Sequence, residues 1–234
     1  MADDIRMQQE CLNLAGIPVA IDGVDGPELR FGLDAYVATG GERLGQVFKG
    51  LGEEGLWLVA SATDLLSTIT LRAARWYLAM RAREVGGENA GPWVRWFLEG
   101  GKGAWCAGFA ACTCLRDAER ALNLSRSKVG LPQTKIAARY RSPWCPTLLD
   151  RAIASGQLVT NPRNVQPGFL ALLLKDGTSH HVGIVEFVDV AAGLVLTIEG
   201  NAPDSTDTGT RDRVARHIRR AGAGLGFIDI DKEA

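Results

Sequence analysis

The apolar positions between residues 63 and 122 recur at helical spacing. Their first stripe consists of Leu65, Ile69, Ala73, Trp76, Tyr77 and Met80. This stripe predicts a helix over 63–85 that ends at Gly86-Gly87. Pro92 opens a shorter predicted helix through Leu98, because proline is favoured at the first helical position. A run of small and apolar residues from Ala104 to about Leu122 predicts a third helix, which a sheet can approach closely.

Strand-like patterns replace the helical spacing after Pro167-Gly168. An apolar run from Phe169 to Leu174 is followed by a predicted turn. Two alternating segments about Ala191-Ala192-Gly193 then predict an antiparallel hairpin. Its strands are His181 to Val190 and Leu194 to Asn201, and two more strands are predicted around Val214–Arg219 and Leu225–Ile230.

The parity of the hairpin residues places three polar side chains on one face. The apolar positions of both strands are mostly even-numbered, whereas His181, Glu199 and Asn201 are odd-numbered and share the opposite face. A register with Ala191 at the centre of the turn sets His181 across from Asn201 and diagonal to Glu199. A slip of two residues would favour Glu199, so the closer partner of His181 stays open.

The remaining segments are less regular. Residues 1–45 predict a small helical segment, and residues 46–62 are a glycine-containing connection. Residues 123–165 carry a basic stretch, which is most simply solvated surface, and Trp144-Cys145-Pro146 predicts a turn. Residues 63–234 are therefore predicted to form the main domain.

Composition excludes several classes of function. The 234 residues are 46% hydrophobic and 23% charged with a net charge of −1, which is typical of a soluble globular protein and gives no case for nucleic-acid binding or membrane insertion. The polar first residues predict no secretory signal peptide. Cys112 and Cys114 diverge on a predicted helix and no CxxC pattern occurs, so we expect no metal site. We also expect no cofactor.

Cys106 is the candidate nucleophile. It falls in the first turn of the predicted third helix, where free backbone N–H groups and the helix dipole favour a thiolate. His181 supplies a base for the thiol proton, and Glu199 or Asn201 supplies an acceptor that orients the imidazole. The alternative is a buried, inert cysteine packed beside Phe109.

Several motifs carry a resemblance to a known family. Ala104-Trp-Cys-Ala-Gly-Phe, Gln166-Pro-Gly, His180-His-Val-Gly-Ile-Val and Ile198-Glu-Gly-Asn, in this order, resemble the CHAP family of cysteine, histidine-dependent amidohydrolases/peptidases. The resemblance implies a papain-like α+β fold, in which the nucleophile helix packs on an antiparallel sheet, and hydrolysis of amide bonds in peptidoglycan. By motif it assigns Cys106 as nucleophile, His181 as base, and Glu199 and Asn201 as orienting residues. His180 is expected to point to the other face of its strand and to be non-catalytic.

Residues 1–45 resemble a second family, the small three-helix peptidoglycan-binding module, through Ile21-Asp-Gly-x-x-Gly-Pro and the helix after it. Together the resemblances imply an endolysin or antibacterial effector that is made in the cytoplasm and acts at the bacterial cell wall after delivery. Peptidoglycan is then the substrate, and an immunity or delivery protein is a further candidate partner. Two alternatives remain: a non-catalytic wall-binding or phage structural protein, and a cysteine amidase or transferase acting on a non-wall substrate.

Overall fold

A computed structural model describes residues 60–203, 212–222 and 224–232, together with positions 5, 6, 8, 9, 24 and 58. The chain divides into two units, Met1–Val59 and Ala60–Ala234. The predicted helical segment 1–45 and most of the predicted connection 46–62 lie outside the described residues.

The helices of the second unit precede its main strands along the chain. They are α1 (Leu66–Ala79), α2 (Pro92–Phe97), a π-helical segment (Gly108–Leu115) that continues directly into α3 (Arg116–Lys128), α4 (Ile136–Tyr140) and α5 (Cys145–Ala154). Helix α1 ends earlier than predicted, because the chain takes a left-handed conformation at Arg81 (φ 53°) and Arg83 then bridges to Arg213 in the sheet. The predicted turn at Trp144-Cys145-Pro146 is instead the start of α5, where Pro146 lies in the first turn.

Among the described residues, six antiparallel strands form one sheet in the order β1-β6-β2-β3-β4-β5. They are β1 (Leu158–Val159), β2 (Leu170–Lys175), β3 (Thr178–Asp189), β4 (Leu194–Ala202), β5 (Arg213–Arg220) and β6 (Leu225–Ile228). The predicted hairpin is confirmed as β3 and β4, and Gly183 lies opposite Glu199 as the register centred on Ala191 requires. A bulge between Val185 and Phe187 shifts the pairing by one residue nearer the turn.

Both faces of the central strands are buried. Ile184 and Ile198 pair across β3 and β4 and are fully buried, as the even-numbered pattern predicts. On the odd-numbered positions, Val185 and Val195 are also fully buried, in a second apolar cluster with Phe227. The alternation therefore marks two covered faces of the sheet.

An aromatic cluster fixes the residues that precede Cys106. The ring of Trp105 is fully buried and stacks on Phe97 at a centroid distance of 5.2 Å. Its indole N–H donates a hydrogen bond to the carboxylate of Glu84 at 3.0 Å. The start of the Cys106 helix is thus held by packing and by a buried polar contact.

The π-helical segment then packs against the end of β4 at Gly200. A Cβ atom at Gly200 would lie 2.7 Å from Phe109 Cβ and 2.7 Å from Trp105 Cζ3, so only glycine permits this approach. The domain combines helices with an antiparallel sheet, which confirms the α+β class. Within the described residues, every helix is too short or too polar to cross a bilayer.

Candidate active site

Cys106 lies at the start of the helix that follows Trp105. The backbone is helical from Cys106, widens into the π-helical segment at Gly108, and returns to α-helix at Arg116. Cys106 as a residue is 4% exposed, so it is largely shielded from water. π-Helical turns inside α-helices are rare and occur frequently at functional sites.

His181 and Glu199 form a buried pair on neighbouring strands. His181 Nε2 lies 2.9 Å from Glu199 Oε2, and the side chains are 15% and 0% exposed. A Cβ atom at Gly183 would lie 2.6 Å from Glu199 Cγ, so the glycine opposite Glu199 provides the space in which the carboxylate side chain lies. Because Nε2 is used by Glu199, Nδ1 is the imidazole nitrogen left for the thiol.

Two further side chains hold the Glu199 carboxylate. Thr197 Oγ1 donates a hydrogen bond to Oε1 at 2.6 Å, and Arg219 contacts both oxygens through Nε (2.8 Å to Oε1) and Nη2. Burial alone would raise the pKa of Glu199, but the hydrogen bonds from His181 and Arg219 lower it well below its usual range. Glu199 is therefore a carboxylate with all its close partners donating to it.

The thiol and the imidazole are arranged as an ion pair. A hydrogen bond from Cys145 lowers the pKa of Cys106; burial opposes this, and a hydrogen bond and the charge of His181 lower it further, to about 4. Burial would lower the pKa of His181, but its hydrogen bonds to Cys106 and Glu199 raise it to about 9. Between these values Cys106 is a thiolate and His181 an imidazolium.

Cys145, like Thr197 and Arg219, is a site residue that the sequence pattern does not identify. Its Sγ lies 3.5 Å from Cys106 Sγ, and its side chain is also buried. The hydrogen bond to Cys106 and burial both raise the pKa of Cys145, so its S–H is the donor in this pair. The pattern Trp144-Cys145-Pro146 favours a turn, but proline is also favoured at the start of a helix, and that signal places Cys145 at the start of α5.

Asn201 is not joined to His181. The paired ladder of β3 and β4 ends at Gly183 and Glu199, and β4 is irregular between Glu199 and Ala202. Asn201 there has a left-handed backbone (φ 55°), and its buried Oδ1 has no hydrogen-bond partner among the described residues. The structure thus brings Cys106, His181 and Glu199 together and leaves Asn201 outside their hydrogen-bond network.

A groove of about 570 Å³ is lined in part by Cys106. Its lining is mainly apolar and glycine-containing, with Leu98, Gly101, Pro143, Trp144, Pro146 and the exposed His180 among its residues. The expectation that His180 points away from the Cys106 side is wrong. The register with β2 shifts between His181 and Ser179, so His180 is an extra residue in a bulge and lines the groove.

No three His, Cys, Asp or Glu side chains in the described part of the chain are placed to hold one metal ion. The described site contains a buried thiolate, an adjacent imidazolium, a carboxylate that orients the imidazolium, and an open groove. This combination of groups supports nucleophilic catalysis. No protein-family model matches the chain, and no curated protein or solved structure is similar enough to count as a match.

Proposed function

We propose that this protein is a cysteine-dependent hydrolase of the papain-like CHAP type that cleaves an amide bond in the peptide part of peptidoglycan. The observation that carries the proposal is the assembly of Cys106, His181 and Glu199, in which a thiol at a helix start interacts with an imidazole held by a buried carboxylate. The four motifs in their chain order support the family and the substrate.

The geometry supports a two-step mechanism. The Cys106 thiolate attacks the carbonyl carbon of the scissile amide, and the oxyanion forms beside the backbone N–H groups at the helix start. His181 gives its Nδ1 proton to the leaving amine, and an acyl-thioester remains on Cys106. His181 then takes a proton from water, which attacks the thioester and frees the thiolate.

Glu199 keeps His181 in the form that this cycle needs. Its carboxylate accepts the Nε2–H, which fixes the tautomer and leaves Nδ1 toward the sulfur. Arg219 and Thr197 hold the carboxylate in turn, and neither contacts the sulfur in the hydrogen bonds of the described residues. They are therefore positioning residues.

One observation favours a second candidate function, a cysteine amidase or transferase acting on a non-wall substrate. The groove beside Cys106 is lined mainly by apolar side chains, including Leu98, Trp144 and Pro146. Such a surface suits a substrate with an acyl or aromatic group better than a substrate with several carboxylate groups. The two functions share the same nucleophile and differ in what occupies the groove.

Digestion of purified peptidoglycan, followed by mass spectrometry of the released fragments, tests the proposal. Wild type should release fragments with new amine and carboxyl ends, and Cys106→Ala should release none while its melting temperature stays close to that of wild type. Cys112→Ala is the matched control, since Cys112 is another buried cysteine of the same helix outside the site.

Three outcomes separate the possibilities. Fragments from wild type and Cys112→Ala alone support the wall hydrolase. Equal release by Cys106→Ala contradicts a cysteine mechanism. Intact peptidoglycan together with Cys106-dependent cleavage of N-acyl amide substrates would establish the second candidate instead.

A further inference from the structure

A second thiol lies beside the nucleophile, but it takes no part in the proposed catalytic steps and belongs to none of the motifs. Cys106 and Cys145 begin two different helices, and their sulfur atoms are 3.5 Å apart. A disulfide bond requires about 2.05 Å, so a shift of roughly 1.5 Å between the two sulfurs is enough. We propose that Cys106 and Cys145 form a reversible intramolecular disulfide that blocks the nucleophile.

A small oxidant can reach this pair. Both cysteines line the groove of about 570 Å³, and Trp144 beside Cys145 is 65% exposed. Cys112 and Cys114 lie on the same helix as Cys106 but are outside this groove, and burial is the main cause that raises the pKa of each. The described structure therefore singles out one pair of thiols for thiol–disulfide exchange.

The oxidant that we propose is a small-molecule disulfide such as glutathione disulfide. The Cys106 thiolate attacks one sulfur of this molecule, which forms a mixed disulfide and releases one glutathione thiolate. Cys145 then loses its proton and attacks the Cys106 sulfur, which forms the internal disulfide and releases the second glutathione. The two protein thiols are oxidised by two electrons, and one glutathione disulfide is reduced to two glutathiones.

The first step also removes what keeps Cys145 protonated. In the resting site Cys145 donates its S–H to the Cys106 thiolate, and this contact raises its pKa. Once Cys106 carries glutathione, no negative sulfur faces Cys145. The second thiol is thus a weak nucleophile before the mixed disulfide forms and a better one afterwards.

The consequence for activity depends on the proposed function, because a sulfur held in a disulfide cannot attack a carbonyl carbon. The disulfide itself does not depend on it. The experiment therefore scores the bond directly and measures hydrolysis only in parallel.

The full chain is equilibrated with glutathione and glutathione disulfide at a series of ratios, quenched with acid and alkylated. By intact mass, the oxidised protein should carry two fewer alkyl groups than the reduced protein, and the change should occur in a single transition. Digestion with trypsin should then join the peptides 103–116 and 142–151, which contain Cys106 and Cys145. Reduction with dithiothreitol should separate them, and fragment ions should place the bond on Cys106.

Two variants make the test specific. Cys145→Ser should stop at a stable glutathione adduct on Cys106, because the resolving thiol is absent. A variant carrying Cys112→Ala and Cys114→Ala together should still form the internal bond. The proposal is overturned if wild type also stops at the adduct, if no oxidation of Cys106 occurs at any ratio, or if the joined peptides contain Cys112 or Cys114 as the bonded residue.

Discussion

The pH dependence of Cys106 alkylation gives the sharpest test of the ion pair. With a pKa of about 4, Cys106 is ionised across the neutral range. At pH 6 such a thiol is about 99% thiolate, whereas a thiol with the unperturbed pKa of about 8.5 is about 0.3% thiolate. A plot of the rate of reaction with iodoacetamide against pH should therefore rise with its midpoint near pH 4 and should be level from about pH 6 to 8.

The shape of the profile is the informative quantity. A thiolate of low pKa is also a weaker nucleophile, so the height of the plateau changes less than the ionised fraction does. The rate is measured from timed samples by mass spectrometry, with fragment ions that distinguish Cys106 from Cys112 and Cys114. Burial, the main cause in each case, raises the pKa of both controls, so their rates should be low and should rise only at alkaline pH.

Substitution of either hydrogen-bonding partner should move the midpoint upward. His181→Ala removes a hydrogen bond and a positive charge beside the sulfur, which corresponds to a rise of about one to three pH units. Cys145→Ala removes the S–H donor and should shift the midpoint in the same direction. A wild-type midpoint near 8.5, or one that neither variant moves, would refute the thiolate–imidazolium pair.

Three further predictions concern the support of the site. Glu199→Gln should lower the rate of amide hydrolysis by about 10²- to 10⁴-fold, because the imidazolium loses its charged partner. Asn201→Ala should lower the rate by less, since Asn201 makes no hydrogen bond to His181. Both variants are assayed at matched folded concentration, and a larger loss with Asn201→Ala would contradict this order. Because the pKa of Glu199 is lower in the folded state than its unfolded value of about 4.3, its ionised form stabilises the fold above that pH, and this stabilisation is lost as pH falls. The free energy of unfolding of Glu199→Gln, measured with urea, should therefore fall less far below that of wild type at pH 3 than at pH 7. Gly200→Ala should lower the free energy of unfolding by about 1–3 kcal/mol, because the added Cβ atom meets Trp105 and Phe109. The control Gly222→Ala has open space around its Cβ position and should melt like wild type. Equal melting temperatures for the two variants would show that the start of the Cys106 helix does not depend on its close approach to Gly200.

The strands around the site follow from local pattern. Alternating apolar residues on both sides of Ala191-Ala192-Gly193 are sufficient to predict the hairpin, and a turn centred on Ala191 gives the observed pairing of Gly183 with Glu199. The same parity places His181 and Glu199 together. This information is local, since it needs only the turn and the two-residue period of a strand.

The bulges limit how far this reasoning extends. One extra residue at His180 resets the alternation, and the irregularity after Glu199 takes Asn201 out of the ladder. Neither is visible in the apolar pattern, because a bulge depends on how neighbouring strands pair. Parity therefore predicts which face a side chain lies on only up to these irregularities.

Contacts between distant segments could not be predicted at all. Cys145 reaches Cys106 from a helix that begins 39 residues later. Arg219 reaches Glu199 through the antiparallel pairing of β4 and β5. Basic residues in an alternating strand are usually solvent-exposed, and only the partner strand decides that Arg219 meets a buried carboxylate.

These long-range contacts explain how charged groups remain ionised in a buried site. Arg219, at the partly exposed end with its side chain 30% accessible, holds Glu199 as a carboxylate. Glu199 favours the protonated form of His181, and the imidazolium favours the thiolate of Cys106, so each charge has an opposite charge next to it. Removing an inner member leaves a neighbouring charge buried and unpaired, which costs far more than the loss of a surface ion pair. The reactivity of Cys106 therefore depends on Glu199 and Arg219 as well as on His181. Arg219→Ala should change the pH profile of Cys106 alkylation even though Arg219 does not contact the sulfur.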